Sequence, residues 1–577
     1  MSMTVADMLV RSLVDLGVKT AWGVVGDALN PVTDAIRRTE GALEWIGVRH
    51  EEAGAFAASA QAQLSGTLGV CMGTVGPGGI HLLNGLYDAK KSHAPVLAIC
   101  GQVPSPEMGT EMFQEVDNDV LYADVAVYTR TITNAEHAPY IVEQAVNAAR
   151  SRRGVAVLTI PGDVGSLELE VPRLPRFLEL PAVTVPAPEA VERAVTLLDA
   201  AEKPTILVGK GARSGREDVL RLAEKLQAPM VVTLKAKEGF DHDNPYQVGQ
   251  AGLIGNIGAQ SALDRCDLLL MLGTDFPYRD WYPEDVTVVQ VDDDGSHIGR
   301  RTPVDLGLVG DAGSTAALLA DRVAQKKGAA KRHLQASREI YETWVKAQNR
   351  LADPKHDKKL LGKLRSKADN PGGDIRPELL AATIGRLAAP DAVFTSDTGM
   401  ATVWLSRFVQ LKERQQLIGS YNLGSMANAM PQALGAQALD RDRQVIAFCG
   451  DGGLTMLLGD LITAVAYDLD ATFVVFDNRR LGMVKLEMEQ GGLPEYGTEL
   501  ANPDLAAVAG AMGLWSRRVE NAEDVEGAVR EALTHRGPAL LDVLTNPNEV
   551  SVPAKPTVSQ GWGFAVAKIR EGIESVD

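Results

Sequence analysis

Cysteine is scarce, with four in 577 residues (Cys71, Cys100, Cys266 and Cys449) and no Cys-x-x-Cys spacing. Three of the four sit inside apolar, strand-like runs, which argues against a disulfide framework and for core thiols in a reducing cytoplasm. Positive charge is also short: 57 Lys and Arg against 75 Asp and Glu leave a formal net charge of −18. That balance excludes a broad cationic surface for nucleic acid. No window approaches ~18 uninterrupted apolar residues, so no membrane span is expected. Met1 to Val10 contains Asp7 and has no cationic stretch ahead of an apolar core, so no signal peptide is expected and the chain reads as cytoplasmic. What is present is ordinary for a globular protein, 45% hydrophobic and 23% charged, and the length predicts roughly three to four domains.

The most informative stretch runs from Gln444 to Val484. It reads as a strand (Gln444 to Cys449), a turn Gly450-Asp451-Gly452-Gly453, one helix with apolar residues at Leu454, Leu457, Leu458, Leu461, Ile462 and Val465, and a second strand (Thr472 to Phe476) ending in Asp477-Asn478. A βαβ unit of this kind puts Asp451 and Asn478 at the carboxyl ends of two parallel strands, where open α/β sheets bind ligands. Glycines let the backbone approach a bulky anion, and the N–H groups of the following helix point at it. A diphosphate fits, and a carboxylate with an amide oxygen suits Mg²⁺. Gly-Asp-Gly alone is better read as a sharp strand-to-helix turn.

Gly450-Asp451-Gly452, followed 27 positions after Asp451 by an Asn that closes a strand, resembles the thiamine diphosphate signature of the pyruvate oxidase and acetolactate synthase superfamily. The stretch Gly424-Ser425-Met426-Ala427-Asn428-Ala429-Met430-Pro431 is similar to that of the bacterial pyruvate:quinone oxidoreductases, and the likeness runs over almost the whole chain. It implies three doubly wound, parallel-sheet α/β domains: 1–180 for the aminopyrimidine, 187–330 for FAD, and 374–550 for the diphosphate and Mg²⁺. A linker (331–373) and a tail (551–577) complete the division. Asp451 and Asn478 would hold the metal with the backbone carbonyl of Arg480. Asp397, Thr398, Gly399, Gly424, Ser425, Gly452, Gly453 and Val484 would line thiamine diphosphate, and Met426 would be the apolar wedge that keeps it bent.

In residues 1–180, helical and strand patterns alternate: a helix near Thr4 to Leu16, strands at Thr20 to Val24, Leu68 to Thr74, Pro95 to Cys100 and Val155 to Ile160, and a helix from Pro31. Glu51 opens an Ala-rich helix, where acidic residues usually only complement the dipole. The resemblance makes it the carboxylate that hydrogen-bonds N1′ of the aminopyrimidine. Gly73-Thr74-Val75-Gly76-Pro77-Gly78-Gly79, a Gly-Pro turn before a helix beginning near Ile80, would line the cleft, with His81, Phe113 and Gln114 near the substrate. A satisfied core histidine is the alternative for His81.

Prolines at 172, 175, 181, 186 and 188 mark a boundary. Beyond it, Gly209-Lys210-Gly211-Ala212-Arg213-Ser214-Gly215 is a weak nucleotide signal by itself. The resemblance adds Gly252-Leu253-Ile254-Gly255, Thr274-Asp275-Phe276-Pro277-Tyr278, Asp292 and Asp311 as FAD contacts, with carboxylates suited to ribose and adenine donors. The basic stretch from Gln325 to Gly373 lacks interleaved aromatics and reads as a connecting helix and linker rather than a nucleic-acid site. Trp562, Phe564, Val566, Ile569 and Ile573 give the tail a broadly amphipathic pattern, which leaves peripheral contact with the inner face of the membrane open beside packing on the body.

The family expectation is oxidative decarboxylation of pyruvate to acetate and CO₂, with electrons passed through FAD to a quinone, in a homodimer at least and a homotetramer by analogy. The alternatives are a phosphate-dependent oxidase making acetyl phosphate and hydrogen peroxide, an acetolactate-type carboligase, and a non-catalytic cofactor-binding regulator. Gly482-Met483-Val484 is more like acetolactate synthase. Glu487, where carboligases of a second keto acid have Trp, is like the oxidases.

Overall fold

The computed structural model describes residues 3–169, 174–178, 183–356, 370 and 373–549. The amphipathic tail, Pro172, Pro181 and Lys358-Lys359 of the basic stretch lie outside them.

Three parallel sheets follow one another along the chain. The first contains β1 (Thr20–Gly23), β2 (Glu44–Gly47), β3 (Gly69–Gly73), β4 (Val96–Gln102), β5 (Ala126–Thr131) and β6 (Val155–Pro161), in the order β2-β1-β3-β4-β6-β5. The central sheet contains β7 (Pro204–Val208), β8 (Met230–Val232), β9 (Leu268–Leu272), β10 (Thr287–Asp292) and β11 (Leu306–Val309), in the order β11-β10-β9-β7-β8. The third contains β12 (Val393–Ser396), β13 (Gln416–Gly419), β14 (Val445–Gly450), β15 (Thr472–Asp477), β16 (Trp515–Val519) and β17 (Ala539–Leu544), in the order β13-β12-β14-β15-β17-β16. Runs such as Val155–Pro161 are buried along their whole length, as strands covered by helices on both faces must be. The expected fold class is therefore the observed one, and the two outer domains share one strand order.

Several elements differ in detail. The edge strands β2 and β5 have mixed residues that, apart from the buried Ile46, are partly buried or exposed, and no clear period in the sequence. The helix after Gly76 begins at Pro77, not near Ile80, because proline fits the first helical turn, where its missing N–H costs nothing. The basic stretch does form a helix, Ala329–Leu351, with Ala330, His333, Leu334 and Ser337 buried.

The helix expected from Leu454 to Val465 is broken into Asp451–Met456, a 3₁₀ turn Leu458–Asp460 and Leu461–Ala466. The break lets Asp460 turn inward, where its carboxylate accepts from the Arg49 N–H at 2.7 Å and the His50 N–H at 3.2 Å. Docking on the N-terminal domain thus overrides a helical pattern that the apolar spacing alone supports.

The same two domains meet through helices Glu51–Ser65 and Ala429–Leu439, and one apolar cluster runs across both, including Phe56, Ala57, Met430, Ala433 and Leu434. A Cβ on Gly435 would overlap the Ala57 carbonyl oxygen, so the backbones touch. Among the described residues no helix is long and apolar enough to cross a membrane. Gly435→Ala should lower the thermal unfolding midpoint by several degrees, an overpacking cost of about 1–3 kcal/mol; a midpoint equal to that of the native chain would contradict the close approach.

Candidate functional site

The third sheet gathers its ligand-facing groups around Asp397, which follows β12 and is buried. One carboxylate oxygen accepts from the Ala429 N–H at 3.0 Å and the other from the Gly450 N–H at 3.1 Å. Burial pushes this carboxyl up to about 7, against the lowering effect of those N–H groups. Asp397 therefore braces the Gly424–Ala429 loop against the Gly450–Gly453 turn. A Cβ on Gly453 would overlap its carboxylate, so glycine is required there.

Asp451 begins the next helix and is 2% exposed. Its Oδ2 accepts from the Asn502 side-chain amide at 2.7 Å, and the same amide donates to Asp477 Oδ1 at 2.8 Å. Burial first, and then the Asp477 charge, raise the Asp451 carboxyl above the ordinary range. Two buried carboxylates sharing one amide are an electrostatic defect that a cation repairs. Asn478 follows β15, and its Oδ1 accepts from the Arg480 N–H at 3.0 Å across Arg479, whose φ is +56°. The Arg480 side chain is engaged with Glu495 at 3.3 Å and Glu499 at 2.7 Å, so a ligand role would fall to its backbone.

Around this hard-oxygen set the chain is cut back. A Cβ on Gly450 would meet nothing within 4 Å, and the same holds for Gly399. Gly424, at φ +77°, carries its loop through the left-handed region. Met426 lies over the turn, its Cε 3.3 Å from where a Gly452 Cβ would stand, with Leu481 and Leu500 beside it. Thr398, Gly399 and Ser425 border the same space in sequence. The arrangement fits a magnesium-bound diphosphate.

Glu51 lies at the first position of its helix and is 7% exposed. Its Oε2 is 2.9 Å from His81 Nδ1, and its Oε1 faces the Gly76–Gly79 turn, 3.2 Å from the position of a Gly78 Cβ. His50 caps the helix through Nδ1 and stacks on the His81 ring with centroids 4.4 Å apart. Ligand atoms of His50, Glu51 and His81 lie within 4.8 Å of one another, but His50 Nδ1 already accepts the Glu52 N–H, and the trio reads as a hydrogen-bonded acid–base group. His81 is 44% exposed by its side chain, so the core-histidine alternative does not hold. Gln114, at φ +68°, packs its backbone against Gly76, and Phe113 beside it is 78% exposed. The structure thus brings Glu51, His81, Phe113 and Gln114 to one end of the first sheet.

In the central domain Gly209 and Gly211 pass against the backbone of Gly273, 3.0 Å separating the position of a Gly211 Cβ from Gly273 Cα. Burial holds the Lys210 ammonium down to about 8. Phe276 packs edge-on to Tyr278 and Tyr282, both at 5.5 Å, and Gly252 lies under the Tyr278 ring. Asp275 pairs with Lys235 at 2.7 Å. The carboxylate of Asp292 is 3.1 Å from His297 Nδ1. Asp311 caps a helix, accepting from the Ser314 N–H at 2.7 Å, and the Ile254 and Gly255 carbonyls, 3.3 Å from Arg407, help fix the 252–255 turn, in which Leu253 is 39% exposed. A tight glycine turn, the half-buried Lys210 ammonium, an aromatic ledge next to Pro277 and a strand-end acceptor carboxylate are groups that could hold a dinucleotide.

Helix Gly482–Gln490 joins the two regions. Val484 is 42% exposed, and Glu487 is exposed near enough to Tyr278 that, after burial, its charge helps raise the phenol. Sequence reasoning missed Asn502, which bridges the two carboxylates but lies in an unpatterned Ala501-Asn502-Pro503, and Asn84, whose amide donates to Glu52 Oε1 at 2.7 Å and Ser425 Oγ at 2.8 Å. Asp477 adjoined the motif, and its place beside Asn478 was the available signal.

A carboxylate pair and glycine turn at the carboxyl end of one parallel sheet, with an acid–histidine group at the end of another, define a diphosphate-cofactor enzyme of the α/β class. Family models agree: residues 3–121 match the thiamine pyrophosphate enzyme N-terminal TPP binding domain, 191–319 the central domain, and 397–543 the C-terminal TPP binding domain. The chain is 37% identical to a putative thiamine pyrophosphate-containing protein of Bacillus subtilis, over 99% of this chain and 96% of that one. It is 31% identical to pyruvate oxidase of Lactiplantibacillus plantarum, over 93% of this chain and 87% of the other. It is 30% identical to a probable acetolactate synthase large subunit of Methanocaldococcus jannaschii, over 96% and 93%. The chain belongs to the thiamine pyrophosphate enzyme family.

Because the folded Asp451 carboxyl is raised, it favours its proton when no cation is near, and the ligand-free protein loses that contribution as pH rises through the raised value. Metal binding has the opposite sign, since it needs the carboxylate. Magnesium titrations in thiamine diphosphate should therefore give weaker binding at pH 6 than at pH 8. Asp451→Ala should remove cofactor retention while far-UV circular dichroism stays unchanged; normal cofactor content in that variant would refute the assignment.

Proposed function

We propose that the protein oxidatively decarboxylates pyruvate, giving acetate and CO₂ and passing two electrons through FAD to a quinone. When bound, thiamine diphosphate supplies the carbon nucleophile and electron sink, and FAD the two-electron acceptor. Asp451, Asn478 and the Arg480 backbone would hold Mg²⁺, and the central-domain turns would hold the flavin. Glu51 Oε2 lies 2.9 Å from Nδ1 of the partly exposed His81 ring, which links the buried carboxyl to a second acid–base group at the edge of the cleft.

The observation that carries the oxidase reading is Glu487. Its helix starts beyond the metal-site loop, and its charge is felt at Tyr278 of the proposed flavin turn, where, after burial, it helps raise the phenol. A carboxylate there leaves the acceptor side of the site polar and repels a second anionic 2-oxo acid, which disfavours carboligation. Overall identity does not separate the classes, being 31% to the oxidase and 30% and 32% to acetolactate synthases. Gly482-Met483-Val484 favours a carboligase as the second reading, and a phosphate-dependent oxidase is the third.

Anaerobic pyruvate should bleach the flavin within one turnover, acetate should exceed acetolactate, and Glu487→Trp should shift product toward acetolactate. A flavin that stays oxidised while acetolactate accumulates would reverse the assignment.

We also propose that the working form is at least a homodimer, with a homotetramer by family analogy, in which Glu51 of one subunit acts on a cofactor held by Asp451 of its neighbour. Phe113 at 78%, Tyr496 at 85%, Met456 at 64% and Leu493 at 55% exposure are large apolar groups that a second copy would cover. Mixing inactive Glu51→Gln and Asp451→Ala chains should restore part of the activity, because a hybrid dimer has one site free of both changes; no recovery after demonstrated subunit exchange would count against the shared site.

A further inference from the structure

The loops proposed for the two cofactors are joined by a short line of polar contacts. In the turn after β9, the Asp275 carboxylate forms its 2.7 Å ion pair with Lys235 and also accepts from the Asn422 side-chain amide. The second N–H of that amide points to the Lys91 carbonyl at 3.4 Å. Both N–H groups of Asn422 are thus used, one on the central domain and one on the N-terminal domain. Its position is intermediate in burial.

Asn422 does not sit in a slack loop. Ser420 closes the turn, its carbonyl accepting from the Gly424 N–H at 2.7 Å and its hydroxyl from the Ser425 N–H at 3.0 Å. Moving Asn422 therefore moves Ser425 and Met426. On the far side Ser425 is held by Asn84, which also holds Glu52 beside Glu51. Among the described residues, the Asn422 amide makes the only hydrogen bond from residues 420–427 to the central domain. Charge-assisted bonds of this kind are short and directional and transmit position better than apolar contact.

We infer that Asn422 is a positioning residue that couples the two cofactor sites, holding the Gly424–Met426 loop in its thiamine-binding shape when a flavin fixes the Thr274–Tyr278 turn. This rests on the flavin reading above. By linkage the effect is reciprocal: FAD tightens thiamine diphosphate binding and thiamine diphosphate tightens FAD binding by the same factor.

The test uses the full chain stripped of cofactors. Calorimetric titration with magnesium thiamine diphosphate, without and with saturating FAD, should show tighter binding with FAD by about 5-fold or more, the lower end of ordinary site–site coupling. In Asn422→Ala the ratio should fall close to one, and in Asn422→Asp, which sets a second carboxylate against Asp275, to one or below. Hydrogen exchange on the native chain gives a readout free of any folding defect: FAD alone should protect amides in residues 420–427. A native ratio of one, a ratio retained in Asn422→Ala, or no protection of that peptide would overturn the coupling while FAD still binds. Failure of FAD to bind the native chain would instead remove the flavin reading on which the coupling depends.

Discussion

The arrangement of the site depends on one helix being buried over most of its length. Helix Glu51–Ser65 carries Ala53, Ala55, Ala57, Ala58, Ala60 and Ala62, each at most 2% exposed, and three glycines from three other elements press on its backbone. Gly85 meets it at Phe56, Gly69 at the Ala58 carbonyl and Gly435 at the Ala57 carbonyl. Enclosed in this way from Ala53 to Ala62, the helix has no freedom to roll or slide, because interiors packed at crystal density have no room for it. Its first residue is Glu51. The carboxylate is therefore held on a rigid element rather than a loop, and the His50 cap and the Asp460 anchor fix the point where the chain enters the helix.

That rigidity explains how the protein tolerates several buried carboxylates, which fall into two kinds. Asp397 accepts backbone N–H groups from two loops, and its charge is used inside the fold. Asp88 is similar: burial pushes it up to about 6, while Ser59 at 3.0 Å and Gln432 at 3.1 Å donate to it across the domain junction. Asp451 differs because its neighbour is another carboxylate and its hydrogen-bond donor is shared. Burial alone does not distinguish a brace from a ligand site. The balance of donors and charges around the oxygen does, and on that measure Asp451 with Asp477 is the unfinished group.

The fold class was legible because three of its signals are local: apolar runs, glycine turns after them, and helical spacing between them. Candidate cofactor residues adjacent to those signals, Asp451 and Asn478 at strand ends, were legible for the same reason, whereas Glu51 at a helix start was singled out only by the family resemblance. What escaped was set by long-range contact. The break in the helix expected across Leu454 to Val465 comes from Asp460 reaching Arg49 and His50, more than 400 positions away. Asn502 and Asn84 occupy unpatterned stretches and matter only through the residues the fold brings to them. Asp311, expected only as a flavin contact, has its carboxylate engaged in capping the helix that follows.

The two outer domains make the separation of fold and chemistry concrete. Their sheets have the same strand order, so the turn after β3 corresponds to the turn after β14. One reads Gly73-Thr74-Val75-Gly76 and the other Gly450-Asp451-Gly452-Gly453. At the next strand, β4 ends in Gln102 where β15 ends in Asp477, followed by Asn478. The first domain thus offers the same crevice with a hydroxyl and an amide in place of two carboxylates. Thr74 Oγ1 is buried there without a hydrogen-bond partner, pressed close to Gly26 and Gly78 beside Glu51. A doubled fold supplies two equivalent mouths; side chains at a few positions give one a pair of buried carboxylates and the other an acid–histidine contact. By the same logic the choice between oxidation and carboligation cannot lie in the sheets, which the relatives of both kinds cover over most of their length. On the proposed reading it lies in residues such as Glu487, where a single charge would change which partner can enter.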